Sequence, residues 1–208
     1  MIEIIENSVQ LALLAALTVV TAVLSVRDKR TEGGLLAMFY GSYALGDLYW
    51  LLYLVYYGHT PRVFYIPDLS WYASYVFLDL VMVRMAPAEE RKDRRPAFWL
   101  TGLFPAAMFL YYVQFGDVAG NVISAVLMGL LIFHAVRGLV FLRTHPEGKP
   151  RRTLYIAALG FCLMEYCAWT ASCLFEGETL SNPYYWCDFL ITVSAMLLFP
   201  AYRKAVRT

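Results

Sequence analysis

The stretch VMVRMAPAEERKDRRPAFWL, residues 81–100, decides the fold because it places a short charged gap between two long apolar segments. The gap runs from Pro87 to Pro96 and is rich in arginine and lysine. The apolar segments on its two sides cover residues 65–86 and 97–115, and each is close to the ~20 residues that a helix needs to cross a bilayer. This pattern is typical of two membrane helices joined by a basic turn.

The same alternation extends along the whole chain. Of the 17 Lys and Arg residues, all but Arg62 lie in or beside alternate gaps, after the first, third, fifth and seventh apolar segments. Because positive charge stays on the cytoplasmic side, we expect an all-α polytopic membrane protein with seven transmembrane helices, the N-terminus outside and the C-terminus inside. The apolar segments cover residues 8–26, 34–57, 65–86, 97–115, 119–142, 153–175 and 182–201.

Composition indicates a bilayer rather than water as the solvent. The chain is 60% hydrophobic, whereas soluble domains are about 45–50% apolar. The net charge is only +1, and its asymmetry between the two faces is explained by the membrane, so we expect no nucleic-acid partner. The prediction is a single domain over residues 1–208 that spans a bacterial inner membrane several times, with the lipid bilayer as its main partner.

A faint repeat relates the two halves of the chain. Asp47, near the middle of the second segment, has a counterpart in Glu165 of the sixth, and the third and seventh segments open with the same Tyr-x-x-Asp-x5-Ser spacing. This favours a 3+1+3 arrangement of parallel repeats, with chance similarity among apolar helices as the alternative. Pro105 lies inside the connector and should kink it. The repeats cover residues 8–86 and 119–201, and the connector covers residues 97–115.

Ionisable side chains inside apolar segments give the strongest functional signal, because a charge in hydrocarbon is costly. Acids of this kind recur, with aromatic residues on the same helical faces, and acids beside Trp and Tyr suit a cationic or amphipathic ligand. We therefore predict an acidic, aromatic pocket that opens outward. The alternative is that the acids bond to tyrosine hydroxyls and only tie helices together. The predicted binding residues are Asp47, Trp50, Asp68, Tyr72, Tyr75, Asp79, Glu165, Trp169 and Asp188.

Several chemistries lack their sequence signatures. The chain has no HExxH, GxSxG or P-loop pattern, so we assign no catalytic residue and expect neither a metal nor a cofactor. His134 has no second histidine within reach on its own helix, which favours a packing role. The four cysteines lack metal spacing; Cys173 and Cys187 could form a disulfide, or all four could be small packing residues.

One stretch resembles a known class of membrane domain. The segment Tyr43–Leu80 has a Gly-Asp pair and a Trp in one helix, a short loop with proline, and an Asp before an aromatic-rich helix; Gly46, Asp47, Trp50, Pro61, Asp68 and Tyr72 carry this pattern. It resembles the multi-spanning sensor regions that precede GGDEF or kinase domains in bacterial signalling proteins. The 3+1+3 arrangement is similar to SWEET and PQ-loop transporters in topology only, since the first and fifth segments contain no proline.

The resemblance to sensor regions covers about forty of the 208 residues. It implies a ligand-sensing or lipid-facing module without catalysis, and because no output domain follows in this sequence, a signalling partner in the membrane or a homo-oligomer. Our leading prediction is therefore a membrane-embedded module that binds a small-molecule ligand. The alternatives are a small proton-coupled transporter for a cationic or amphipathic molecule, and an intramembrane enzyme in which a carboxylate pair acts on lipid.

Overall fold

The computed structural model describes residues 2–61, 65–93 and 95–207, and within these ranges every regular element is helical. The all-α class is therefore confirmed. The α-helices are α1 (Ile2–Asp28), α2 (Thr31–Tyr57), α3 (Tyr65–Met85), α4 (Ala88–Lys92), α5 (Leu103–Tyr112), α6 (Val118–Phe141), α7 (Arg152–Leu174) and α8 (Pro183–Val206). The 3-10 helices are Pro96–Gly102, Val113–Phe115 and Pro146–Arg151.

Four helical segments in the described ranges are long and apolar enough to cross a bilayer: α1, α6, the continuous stretch Pro146–Leu174 that includes α7, and α8. The protein is therefore a membrane protein. Helices α2 and α3 contain 27 and 21 residues, but charged side chains together with Tyr and Trp lower their mean hydropathy. The segment around α5 is apolar but shorter.

Six of the helices close a ring. Along the chain, α1 packs against α2, α2 against α3, α3 against α6, α6 against α7 and α7 against α8, and α8 returns to α1. Helix α5 and the 3-10 turn before it lie along α6, and the Tyr112 hydroxyl at the end of α5 donates to the Tyr166 carbonyl of α7. The ring brings helices from the two ends of the sequence side by side.

Helix α1 turns a largely polar face toward the other helices and an apolar face outward. Val26, on the outer face of this helix, is 80% exposed, whereas the polar residues of α1 are turned inward. This is the reverse of a water-soluble bundle, and it suits a helix that faces lipid on one side and protein on the other. The buried face of α1 consists of Glu3, Asn7, Gln10, Leu14 and Thr21, at steps close to one helical turn.

Large side chains fill the middle of the ring. Phe39 of α2 is fully buried, and its ring lies 5.5 Å from that of Phe161 on α7, edge to face. Tyr40 is also fully buried, and its hydroxyl donates to the Ala195 carbonyl of α8 at 2.8 Å. These contacts join α2 to the opposite side of the ring and leave its centre packed rather than hollow.

The connector differs in detail from the sequence prediction. Residues Pro96–Gly102 form a 3-10 helix, and the α-helix begins only at Leu103. Pro105 therefore lies in the first turn of α5, where a backbone N–H would have no partner within the helix in any case. The four cysteines are free thiols, so Cys173 and Cys187 are not bonded to each other.

Candidate functional site

Five carboxyl groups from four helices converge in one half of the ring. Glu3 and Glu6 come from α1, Asp47 from α2, Glu165 from α7 and Asp188 from α8. Asp47 and Asp188 are 1% and 8% exposed. Glu6 is within electrostatic range of Glu3, Asp47 and Asp188, and Asp47 is within range of Glu165. We call these five residues the acid cluster.

The closest pair in the acid cluster joins the two ends of the chain. The Glu6 and Asp188 carboxyl groups interact directly, and the Gln10 side chain also reaches Asp188. Gln10 Nε2 donates to Thr192 Oγ1 at 2.9 Å, and Asn7 Nδ2 donates to Glu6 Oε2 at 3.1 Å. Polar side chains of α1 therefore line the contact with α8 at this level.

The glycine before Asp47 allows a tryptophan to reach the aspartate. A Cβ atom on Gly46 would lie 2.5 Å from Trp71 Nε1, so the absence of a side chain lets the Trp71 indole of α3 lie against α2. The indole N–H then donates to Asp47 Oδ1 at 3.1 Å. The other oxygen, Asp47 Oδ2, is buried and has no hydrogen-bond partner among the described residues. The Gly-Asp pair thus creates a buried carboxyl group with one free acceptor.

Aromatic side chains surround the remaining acids. The Tyr43 hydroxyl donates to Glu165 Oε1 at 3.0 Å, and Tyr75 also hydrogen-bonds Glu165. Trp50 Nε1 donates to Glu3 Oε1 at 3.0 Å. The Trp71 ring centroid lies 6.3 Å from that of Tyr43 and 6.0 Å from that of Trp50, which makes a continuous aromatic wall beside the carboxyl groups.

The acid cluster has no basic side chain within salt-bridge distance among the Lys and Arg residues that the structure describes. Its hydrogen-bond donors are indole, phenol and amide groups. Nor do any three His, Cys, Asp or Glu side chains in the described ranges have an arrangement that could hold a metal ion. The carboxyl groups of the cluster are therefore not paired with a Lys or Arg side chain that the structure describes.

The structure brings together five of the nine residues that the sequence indicated. Asp47 and Glu165, which occupy matching positions in the predicted repeat, lie within electrostatic range of each other, and the rings of their hydrogen-bond donors, Trp71 and Tyr43, are 6.3 Å apart. The five that meet in or beside the acid cluster are Asp47, Trp50, Tyr75, Glu165 and Asp188.

The other predicted residues lie elsewhere. Tyr72 turns toward α6, where its hydroxyl would be 2.8 Å from a Cβ atom on Gly120, and Asp68 feels the charge of Asp117 at the start of α6. Asp79 also faces α6, and Trp169 packs against Tyr112, with ring centroids 5.5 Å apart. Helix α3 packs between α2 and α6. Of its predicted site residues, Tyr75 therefore faces the acid cluster, whereas Asp68, Tyr72 and Asp79 face α6.

Sequence reasoning missed the contribution of α1 and the role of Trp71. Glu3, Glu6, Asn7 and Gln10 precede or open the first apolar segment, so they read as the outer flank of a span. Their spacing carried a usable signal, since Glu3, Asn7 and Gln10 follow one another at steps of four and three, the period of one helical face.

Two further groups of partly or fully buried polar residues lie nearer the basic end of the ring. His134 Nε2 is 3.5 Å from Asp79 Oδ1, and its Nδ1 is 2.9 Å from Arg137 Nη2. Glu90 of the short helix α4 is 1% exposed, accepts bonds from the Tyr155 hydroxyl at 2.9 Å on both oxygens, and lies 3.7 Å from Arg151 Nη1. We call these two groups the inner clusters.

Comparison with known proteins finds no matching family model, no similar curated protein and no similar solved structure. The functional proposal therefore depends on the geometry and electrostatics of these residues.

Proposed function

We propose that this protein is a membrane-embedded, sensor-like module that binds a small organic cation in the acid cluster. The observation that carries the proposal is the gathering of five carboxyl groups, three buried and two partly buried, without a Lys or Arg partner among the described residues. Two carboxyl groups in direct contact, such as Glu6 and Asp188, cannot both be ionised at acceptable cost. Protons compensate the charge in the empty state, and the ligand's positive charge replaces them when it binds.

The aromatic wall supports an organic cation as the ligand. A cation over the face of Trp or Tyr gains electrostatic attraction that is largest when water is excluded, and Trp50, Trp71 and Tyr43 lie directly beside the carboxyl groups. The free oxygen of Asp47 offers an acceptor for an ammonium N–H. A primary amine would use this hydrogen bond, whereas a quaternary ammonium would use only charge and the aromatic faces.

The proposal includes seven membrane spans, with the acid cluster toward the outside of a bacterial inner membrane. Helices α2 and α3 stand between two apolar long helices, α1 and α6, in a closed ring, so they share their depth in the bilayer. The segment 96–115 mixes 3-10 and α-helix, which rise about 2.0 and 1.5 Å per residue, so a straight segment would extend about 35 Å. That length is sufficient to cross ~30 Å of hydrocarbon.

Reporter fusions test this topology. Fusions after Arg30, Glu90, Gly148 and Thr208 should all report the cytoplasm, and a fusion within the loop at residues 176–181 should report the outside. An external signal at any of the first four positions would contradict the seven-span arrangement. It would leave the chemistry of the acid cluster untouched, because that chemistry depends on the ring and not on its orientation.

Sensing is favoured over transport because the ring is packed just inward of the site. Phe39, Tyr40 and Phe161 are fully buried there, and in the inner clusters Glu90 lies 3.7 Å from Arg151 while Asp79 is within electrostatic range of Arg137. A ligand that enters from the outer end would be stopped by these packed side chains. A sensor of this kind would transmit occupancy through helix movements to a membrane partner or to a second copy of the chain.

One observation favours a proton-coupled transporter as a second candidate. Asp79 lies within electrostatic range of Cys162, which is close to one helical turn from Glu165 on α7. Asp79 Oδ1 and Arg137 Nε are both buried without a hydrogen-bond partner among the described residues. Polar groups thus continue inward from the acid cluster, and a second conformation could extend them into a path.

Tryptophan fluorescence tests the proposal directly, because Trp50 and Trp71 lie at the site. Protein in nanodiscs is titrated with tetramethylammonium, ethylammonium and spermidine, and a saturable fluorescence change that Glu165→Gln weakens is expected. No saturable response to any of the three cations would contradict the proposal. The same cations are then offered to proteoliposomes under a pH gradient, and uptake driven by the gradient would identify the transporter instead.

A further inference from the structure

A groove at the basic end of the ring has a chemistry distinct from that of the acid cluster. It lies between the end of α1, the 3-10 turn Pro146–Arg151 and the last turns of α8, and it encloses about 680 Å³. Its walls divide into an apolar part, which includes Leu24 and Phe199, and a basic part contributed by the end of α8. It is independent of the proposed cation site.

The apolar part continues the lipid-facing surface of the bundle. Leu24 belongs to the last turns of α1, and Phe199 and Pro200 are adjacent on α8. Pro200 lies inside α8, where it lacks the N–H that would bond one turn back and where its ring crowds that carbonyl. Pro150 closes the groove from the 3-10 turn. An acyl chain can therefore follow this wall from the bilayer toward the basic part.

The basic part is ordered by one ion pair and otherwise unpaired. Arg203 Nη1 lies 2.6 Å from Asp28 Oδ2, which fixes the guanidinium at the edge of the groove. Lys204 and Arg207 are exposed, and neither forms a salt bridge with a described residue. None of the described residues that line the groove is acidic, so these side chains give it a positive charge that suits an anion.

We propose that this groove binds the phosphodiester headgroup of an anionic phospholipid, with Lys204 and Arg207 on the phosphate and an acyl chain along Leu24 and Phe199. Retention of positive charge at cytoplasmic helix ends explains why basic residues occur here. It does not explain why three of them border a concave surface with an apolar wall. That combination matches a ligand with a charged head and an apolar tail, which a soluble phosphate lacks.

Native mass spectrometry of the full-length protein tests the proposal. The detergent-purified protein is titrated with phosphatidylglycerol and with phosphatidylcholine of the same acyl chains. The double variant Lys204→Gln/Arg207→Gln is compared with Arg91→Gln/Lys92→Gln, which removes the same charge from exposed positions of α4 at the same end of the ring. Both pairs are exposed, and an unchanged melting temperature confirms that each variant folds.

We expect the wild type to bind phosphatidylglycerol more tightly than phosphatidylcholine, and the Lys204/Arg207 variant to lose roughly 30-fold in that affinity, as two basic residues at about 1 kcal/mol each imply. The α4 variant should retain wild-type binding. Equal losses in both variants would reduce the effect to general charge attraction and overturn the proposal. So would displacement of the lipid by equimolar glycerol phosphate, which would assign the groove to a soluble phosphate.

Discussion

The acidic side chains in the two halves of the ring differ in their partners. In the inner clusters each acid lies within electrostatic range of an arginine, Asp79 of Arg137 and Glu90 of Arg151. In the acid cluster the five carboxyl groups have no described Lys or Arg within salt-bridge distance, and the donors described beside them are indole, phenol and amide groups. The same chain therefore contains balanced and unbalanced buried charge, separated by a layer of fully buried aromatic side chains.

This difference separates the acids that we expect to stabilise the fold from those that we expect to bind a ligand. A buried acid with its own basic partner is complete, and removal of one partner leaves the other uncompensated. A buried acid without such a partner is incomplete unless a proton or ligand joins it. Substitutions in the inner clusters should therefore affect folding most strongly, whereas substitutions in the acid cluster should affect binding.

The largest effect is expected for Glu90→Ala. The substitution leaves Arg151 and the Tyr155 hydroxyl without their buried partner, so the free energy of unfolding should fall by about 3 kcal/mol. The neighbouring Glu89→Ala removes an exposed carboxylate and should change it by less than about 0.5 kcal/mol. Thermal melts in detergent measure both. Equal stability of the two variants would mean that Glu90 is not structural.

Asp47→Asn should weaken cation binding by roughly 10- to 150-fold, because a charge-assisted contact contributes about 1.5–3 kcal/mol. The amide retains the size and hydrogen-bonding capacity of the acid, so the melting temperature should change little. Asp79→Asn is the matched control, and it should leave the affinity unchanged. Tetramethylammonium titration followed by Trp fluorescence gives the affinities. Loss of stability with binding retained would make Asp47 a structural residue.

Gly46→Ala should destabilise the protein by about 1–3 kcal/mol, the usual cost of overpacking. The new methyl group would meet the Trp71 indole and displace it from Asp47. Gly160, in the middle of α7, has open space around it, so Gly160→Ala should be neutral or stabilising by up to about 1 kcal/mol. A shifted Trp emission maximum in the first variant alone would confirm the displacement. Identical melting curves would refute the close contact.

Glu6→Gln should stabilise the protein without ligand by about 1 kcal/mol, far less than the ~4 kcal/mol between two unit charges 4 Å apart at a dielectric constant of 20. The gain is small because protons already relieve part of the repulsion with Asp188. Glu176→Gln, at an exposed site in the loop after α7, should have no effect. If Glu6→Gln instead lowers the melting temperature, the pair is held by hydrogen bonds rather than strained by charge.

The smallest effect concerns pH. Burial raises the pKa of Glu90 above its ordinary value of 4.5, although the Tyr155 hydrogen bond and the Arg151 charge offset part of the shift. The folded state then binds more protons than the unfolded state, so this residue's contribution to stability should fall as pH rises from about 4.5 through the raised pKa. Glu90→Gln should remove that part of the slope. A slope that survives the substitution would have to arise elsewhere.

Much of the helical framework could be read from the sequence. The predicted segments 34–57 and 65–86 correspond to α2 (Thr31–Tyr57) and α3 (Tyr65–Met85), because apolar length and charged gaps are local properties of a chain. The 3-10 helix at the start of the connector was not predicted, because no local sequence pattern distinguishes it from an α-helix. The four-step spacing of Glu3 and Asn7 was readable, but those residues lay outside the apolar window.

The sequence by itself determined that the chain is helical, that it belongs in a membrane, and that acids occur inside its helices. Helical periodicity assigns each acid to a face, but it does not say which neighbour that face meets. Asp188 meets Glu6 only because α8 packs against α1. Asp79 lies beside His134 rather than Asp47 only because α3 packs between α2 and α6. Tertiary packing decides which buried charges are balanced, because electrostatic compensation depends on distance in space and not on position in the chain.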